Sequence, residues 1–108
     1  MKEATAPSPT VLPEPEPAEM RLEDVLQALG DPVRLQIVRK LQACDAPKAC
    51  GTFELPVGKS TASHHFKVLR ESGLIRQRVE GRERLTELRS EDLEDRFPGL
   101  LASVLAAS

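Results

Sequence analysis

Apolar residues recur every three or four positions in the first half of the chain, which predicts two successive helices. The first is predicted over residues 20–29, because Gly30 ends its apolar stripe. The second is predicted to begin after Asp31, a common N-cap residue, with Pro32 at the first helical position, and to end near Ala43. Their apolar positions are Met20, Leu22, Val25, Leu26, Leu29, Leu35, Ile37, Val38 and Leu41.

Residues 59–72 carry the clearest helical pattern of the chain, and Gly73 follows as the terminating residue. One face of this helix is apolar and consists of Ala62, His65, Phe66 and Leu69. The opposite face carries short hydrogen-bonding side chains and a cation, namely Ser60, Ser63, His64 and Lys67. Between the second helix and this one, a short third helix is predicted over residues 51–55, since Pro56 and Gly58 would end it.

The second half of the chain predicts a β-hairpin and a last helix. Residues 74–79 and 83–88 read as two strands, with Glu80, Gly81 and Arg82 as the connecting loop. Ser90 is expected to cap the last helix, and Pro98 is expected to bend or restart it. The whole order predicts a mostly α-helical winged helix-turn-helix fold with about five helices and a two-stranded wing.

Residues 1–19 differ from the rest in composition. They contain five prolines among Glu, Ala, Ser and Thr, a mixture that buries too little apolar surface to offset the entropy of ordering. The sequence therefore predicts a disordered arm over residues 1–19 and a single domain over residues 20–108.

The charges are unevenly distributed along the 108 residues, whose net charge is -2. Residues 1–31 hold two basic and seven acidic side chains, residues 32–90 hold twelve and six, and residues 91–108 hold one and four. A basic centre between acidic ends suits a protein whose middle meets phosphate. The chain lacks Trp and Tyr, so a stacking platform for single-stranded nucleic acid is not expected.

No apolar run is long enough for a membrane span, and the N-terminus lacks the apolar stretch of a secretory signal. The protein is therefore expected in the cytoplasm, with Cys44 and Cys50 reduced.

Two segments carry a family resemblance: LGDPVRLQIVRKL at residues 29–41 and STASHHFKVLRESGLI at residues 60–75. Together with the order of predicted elements, they resemble the ArsR/SmtB family of winged helix-turn-helix transcriptional repressors. The resemblance covers roughly residues 20–88. It implies a non-enzymatic regulator that binds a twofold-symmetric operator in double-stranded DNA as a homodimer.

The resemblance also implies which residues bind DNA and which form the dimer interface. The DNA-reading positions of the family fall on Lys59, Ser60, Ser63 and His64, with Arg82 at the tip of the wing, while Lys67 adds charge. Many relatives carry Gln at the position of Lys59, so no operator sequence follows. Family dimers pack their first and last helices across the twofold axis, which places the interface on Val25, Leu26, Leu29, Leu101, Val104 and Leu105.

The sensing sites usual in this family fit the chain poorly. A zinc site on the last helix is excluded because the only histidines, His64 and His65, lie on the recognition helix. The Cys-x-Cys pair of metalloid sensors is absent, since five residues separate Cys44 from Cys50. Three interpretations of these cysteines stay open: small buried side chains, a thiol redox pair, or a site for a soft metal or metalloid. No cofactor is expected otherwise.

Two other classes of function compete with DNA binding. A winged domain that only binds proteins would suit the acidic flanks, but it would have no need for the polar and basic stripe. A thiol oxidoreductase is disfavoured because the chain has no Cys-x-x-Cys motif.

Overall fold

The computed structural model of the protein describes residues 10–44, 48–49 and 53–107. In these described ranges, five α-helices and a two-stranded antiparallel hairpin confirm the predicted winged helix-turn-helix fold class. The elements in chain order are β1 (Thr10–Val11), a 3-10 helix (Pro17–Glu19), α1 (Leu22–Leu29), α2 (Pro32–Gln42), β2 (Lys48–Ala49), α3 (Lys59–Ser72), β3 (Ile75–Glu80), β4 (Glu83–Leu88), α4 (Ser90–Arg96) and α5 (Leu100–Ala107).

The start of α2 is fixed by the predicted cap. The Asp31 carboxylate accepts hydrogen bonds from the backbone amides of Val33 and Arg34, at 2.9 and 3.1 Å. These amides have no partner within the helix, so the cap satisfies them. The bond from the Arg34 amide is also the main reason why the pKa of Asp31 lies below its usual value.

The end of α3 is fixed by Gly73, whose φ of +98° lies in the left-handed region that favours glycine. A Cβ at this position would lie 2.8 Å from Cε and Cγ of Met20, which is buried just ahead of α1. Gly73 therefore serves two purposes, because it ends α3 and lets the chain before α1 pack against that end.

The sheet has the strand order β1-β3-β4-β2, with all neighbours antiparallel. The hairpin runs in register from Ile75 opposite Leu88 to Glu80 opposite Glu83, and Gly81 makes the turn with a φ of +63°. This hairpin confirms the predicted wing, with each end of its first strand displaced by one residue.

The core lies where α1, α2 and α3 pack together and against the inner face of the hairpin. The rings of Phe53 and Phe66 meet edge to face there, with centroids 5.4 Å apart. Each large aliphatic side chain that is fully buried contributes about 1.5–3 kcal/mol relative to an exposed one. The buried apolar residues are Met20, Val25, Ala28, Leu29, Ile37, Val38, Leu41, Phe53, Phe66, Leu69, Leu74, Ile75, Leu93 and Leu101.

The predicted third helix is corrected by the structure. Phe53, Glu54 and Leu55 form no regular helix, and residues 51 and 52 lie outside the described part of the chain. Pro56 follows closely, and a helix of about one turn has little stability of its own. Burial of the Phe53 ring against Phe66 fixes this segment instead.

The predicted last helix is interrupted. α4 and α5 are separated by Phe97, Pro98 and Gly99, in agreement with the restart expected at Pro98. Ser90 is not the cap, since it is the first residue of α4 and the N-cap position belongs to Arg89, whose side chain makes no capping bond.

The prediction of a disordered arm is corrected for residues 10–19, which pack along the sheet and the core. β1 pairs with β3, and the Leu12 amide donates to the Gln77 carbonyl at 2.9 Å. The prolines of the arm are compatible with this packing because Pro13 and Pro15 accept hydrogen bonds through their carbonyls, which proline retains. Residues 1–9 lie outside the described part of the chain.

None of the helices in the described ranges is long and apolar enough to cross a membrane.

Candidate nucleic-acid interface

The predicted two faces of α3 are present in the structure. Phe66 and Leu69 are buried in the core, and His65 is buried beside them. The polar stripe of Ser60, Ser63, His64 and Lys67 is exposed along its whole length. The helix therefore presents hydrogen-bonding groups on its exposed face, while apolar contacts anchor its opposite face in the core.

A groove of about 350 Å³ runs between the N-terminal half of α3 and the hairpin. Lys59, Ser60 and Ser63 line it from the helix, and Gln77 and Arg84 line it from the strands. The groove brings Lys59, Ser60 and Ser63 together with the wing, while Arg82 lies beyond it at the turn of the hairpin.

Arg84 belongs to the surface that α3 and the hairpin form around this groove, and the sequence pattern did not reveal it. It lies two positions before the buried Thr86, so both side chains are on the face of β4 that points toward the helices. The alternation of the strand would have placed Arg84 on this face, had the position of the core been known.

Four cations on this surface are exposed and make no hydrogen bond or ion pair within the part of the chain that the structure describes. The other arginines and lysines whose side chains it describes all contact a carboxylate, a carbonyl or another polar group, or take part in a further interaction. An exposed cation without an internal partner is available to a phosphate oxygen. The four are Lys59, Lys67, Arg82 and Arg84.

Arg34 holds the back of α3 against the end of α1. Its Nε donates to the Ala28 carbonyl at 2.8 Å, and its Nη2 donates to the Gln27 carbonyl at 3.3 Å. Its Nη1 lies 3.1 Å from Nδ1 of His65, and because arginine has no acceptor, the histidine nitrogen accepts this bond. One α2 side chain thus ties together three helices, and His65 has the packing role that was expected for it.

A buried polar network joins α3 to the base of the wing. Arg70 donates through Nη1 to Oε1 of Gln77 at 2.8 Å, and Nε2 of Gln77 donates to Oγ1 of Thr86 at 3.1 Å. Gln77 and Thr86 are fully buried. Since a buried amide without partners is costly, this network favours one orientation of the hairpin relative to the helix.

The predicted sensing residues are only partly visible. Cys44 is a half-buried free thiol at the end of α2, and its amide donates to the Leu41 carbonyl at 3.1 Å. Cys50 lies outside the described residues. Within the described ranges, no group of three or more His, Cys, Asp or Glu side chains is arranged to hold a metal ion.

The predicted dimer residues occupy two environments. Val25, Leu29 and Leu101 are buried in the core of the single chain, so their assignment to an interface is corrected: Val25 has no exposed surface left to give a partner. Leu26 is 46% exposed, and its neighbour Leu22 is 45% exposed. Val104 and Leu105 are partly buried against the core.

Three packed helices, with the third exposing a polar and basic stripe beside a β-hairpin, define a winged helix-turn-helix protein. Comparison with known proteins agrees with this class. Residues 29–78, which span α2, α3 and most of β3, match the family described as a helix-turn-helix domain.

Two relatives identify the family more closely. The uncharacterized HTH-type transcriptional regulator YceK of Bacillus subtilis is 35% identical over 82 residues, which cover 74% of this chain and 82% of that protein. An uncharacterized HTH-type transcriptional regulator of Methanocaldococcus jannaschii is 34% identical over 59 residues, which cover 54% of this chain and 66% of that protein. The chain belongs to this family of HTH-type transcriptional regulators.

Proposed function

We propose that the protein is a transcriptional regulator that binds double-stranded DNA through α3 and the wing. The observation that carries the proposal is the set of four exposed cations without internal partners among the described residues, which all lie on α3 or the hairpin. The transcriptional regulators to which the chain is related support the same function.

The proposed interface divides the contacts by residue type. Ser63 and His64, on the exposed stripe of α3, contact base edges in the major groove, since hydroxyl and imidazole groups both donate and accept hydrogen bonds. Lys59, Lys67 and Arg84 contact phosphates on either side of that groove. Arg82, at the turn of the hairpin, reaches the neighbouring backbone or minor groove.

We further propose that the protein acts as a homodimer of the ArsR type and represses from a twofold-symmetric operator, in the cytoplasm. Leu22 and Leu26 support the dimer, because they form an exposed apolar patch on α1, the helix that the family resemblance assigns to the interface. A symmetric dimer would place its two α3 helices about 34 Å apart, in successive major grooves.

DNA binding is tested by selecting duplexes from a random-sequence pool at physiological salt and measuring their affinity. The variants Ser63→Ala and His64→Ala are expected to lower discrimination between selected and random duplexes, by about 1–3 kcal/mol for each good hydrogen bond to a base edge that the substitution removes. Ser90→Ala, at an exposed serine on α4, is the control and should bind as the wild type does. A wild-type protein that retains no duplex even at low salt would contradict the proposal and favour the protein-binding alternative.

The dimer is tested by placing a charge on the exposed patch. Leu26→Asp is expected to shift sedimentation to the monomer and to weaken binding to the twofold-symmetric duplex. Gln42→Asp adds the same charge at an exposed polar position of α2 and should remain dimeric. If Leu26→Asp also stays dimeric, the interface lies elsewhere.

A further inference from the structure

Residues 10–16, which we name the strap, run along the outer edge of the wing. β1 pairs through Thr10 with Val79 and through Val11 with Arg78. Pro13 and Pro15 then accept hydrogen bonds through their carbonyls from Arg70 and Arg89, at 3.1 and 2.8 Å. The strap is therefore held by polar contacts at both ends and is not part of the apolar core.

Glu14 is the charged anchor of the strap. Its carboxylate accepts from Nε of Arg76 at 3.0 and 3.1 Å and pairs with Nη2 of the same arginine at 3.0 Å. Nη1 of Arg89 lies 3.7 Å away, and the Arg89 side chain is only 2% exposed. The carboxylate thus sits between two arginines, one of which is almost completely removed from water, where an ion pair is screened least.

The strap also reaches the recognition helix. Arg70 of α3 donates to the Pro13 carbonyl through Nε and to the buried Gln77 through Nη1. The Gln77 carbonyl in turn accepts from the Leu12 amide. One arginine of α3 therefore contacts the strap and the base of the wing at the same time.

We propose that the strap positions the wing relative to α3 and that Glu14 is a positioning residue for DNA binding. The inference rests on the proposed function. Glu14 is acidic and would repel DNA if it acted directly, so its contribution passes through Arg76, Arg89 and the strap. The apolar core does not depend on the strap, since Val11 is 54% exposed and Pro13 is exposed.

The test compares Glu14→Gln with Glu91→Gln, which removes the same charge from an exposed position on α4. Neutralising an acid reduces repulsion of DNA, so Glu91→Gln is expected to bind the selected duplex as tightly as the wild type or slightly more tightly. Glu14→Gln is expected to bind it about fivefold or more weakly, the lower end of a typical coupling between two sites. Its thermal midpoint should stay close to that of Glu91→Gln, because Asp92 still pairs with Arg76 and Arg89, at 3.6 and 3.0 Å.

Amide hydrogen exchange at Leu12 reports docking of the strap without DNA. Faster exchange in Glu14→Gln than in Glu91→Gln is expected, together with non-additive loss of affinity when Arg76→Gln is combined with it. Faster exchange with unchanged affinity would overturn the proposal, as would equal exchange and affinity in the two Gln variants. A wild-type protein that protects Leu12 but binds no duplex would instead contradict the proposed function, and the positioning role with it.

Discussion

The arginines in the wing and directly after it differ sharply between its outer edge and its tip. At the edge, Arg76 and Arg89 meet Glu14 and Asp92, and on the hairpin Arg78 bonds Glu80. At the tip, Arg82 and Arg84 are exposed and have no partner within the described residues. The same residue type is therefore structural in one region and available for a ligand in the other, which neither composition nor net charge reveals.

The two regions also differ in how their arginines contribute to the stability of the fold. The hydrogen bond that Arg78 donates to Glu80 holds the pKa of Arg78 above its usual value, and the bonds that Arg76 donates to Glu14 do the same for Arg76. Arg89 is nearly buried, so loss of its partners would leave an uncompensated charge. Exposed cations such as Arg82 carry no such penalty, and they can be removed with little effect on stability.

The largest effect on binding is expected from removing both tip arginines, because they are exposed and have no partner within the described residues. Arg82→Ala combined with Arg84→Ala should reduce the magnitude of the salt slope, d log K/d log[salt], by about 2 for each protomer bound, since each phosphate contact contributes about 0.9. Arg78→Ala is the matched control, because its charge is already paired within the same hairpin. Titration of the duplex at several salt concentrations measures the salt slope of the double variant and of the control. An equal fall in slope for Arg78→Ala would show that pairing does not separate the two groups of cations.

The next effect concerns Gln77, which lies between the two regions. Gln77→Ala removes one hydrogen-bond partner of Arg70 and one of Thr86, and losing a hydrogen bond to a buried polar group costs about 1–3 kcal/mol. Denaturant unfolding should therefore show a lower free energy of unfolding. Gln42→Ala, at an exposed position of α2, should change it by less than about 0.5 kcal/mol. Equal stability of the two variants would mean that the network does not hold the wing.

The smallest effect on stability is expected at two acidic side chains, one that caps a helix and one that is exposed. Asp31 caps α2, whereas Glu71 on α3 is exposed and makes no ion pair among the described residues. Asp31→Ala should therefore destabilise the protein by about 1 kcal/mol, as removal of a helix cap usually does, and Glu71→Ala should have little effect. Thermal unfolding at neutral pH measures the difference.

The same residue gives a pH dependence with a defined sign. The pKa of Asp31 is lower in the folded protein than its ordinary value of 3.8, so its contribution is complete above that value and is lost as the pH falls through the folded pKa. Asp31→Asn can still accept the capping bonds but does not titrate there. Its free energy of unfolding should therefore fall less steeply on acidification than that of the wild type, and parallel curves would contradict the assignment.

The elements that could be predicted are those whose ends carry local chemistry. Asp31 with Pro32 marks the start of α2, and Gly73 marks the end of α3, so both helices follow from adjacent residues. β1 and β2 could not be predicted, because each has two residues and exists only through pairing with a distant strand. A two-residue strand is too short to show the alternation of apolar and polar residues that identifies a strand in a sequence.

The candidate site was predictable to a similar extent. Periodicity separated the exposed stripe of α3 from its buried face, but it could not distinguish an apolar side chain that fills the chain's own core from one left for a partner. Val25 and Leu26 are neighbours in α1, and only the packing shows that Val25 is buried and Leu26 exposed. Arg84 could not be identified for the same reason, since its direction depends on which face of β4 meets the helices.

The two short strands have a consequence for the behaviour of the protein in a crowded cell. β1 covers the free side of β3, and β2 covers the free side of β4, so each long strand of the hairpin is flanked by a two-residue neighbour. Unpaired amides and carbonyls along an open strand are templates for aggregation and domain swapping. Short flanking strands shield part of that template at little cost in chain length, which leaves the wing free to extend from the domain while limiting its self-association through the backbone.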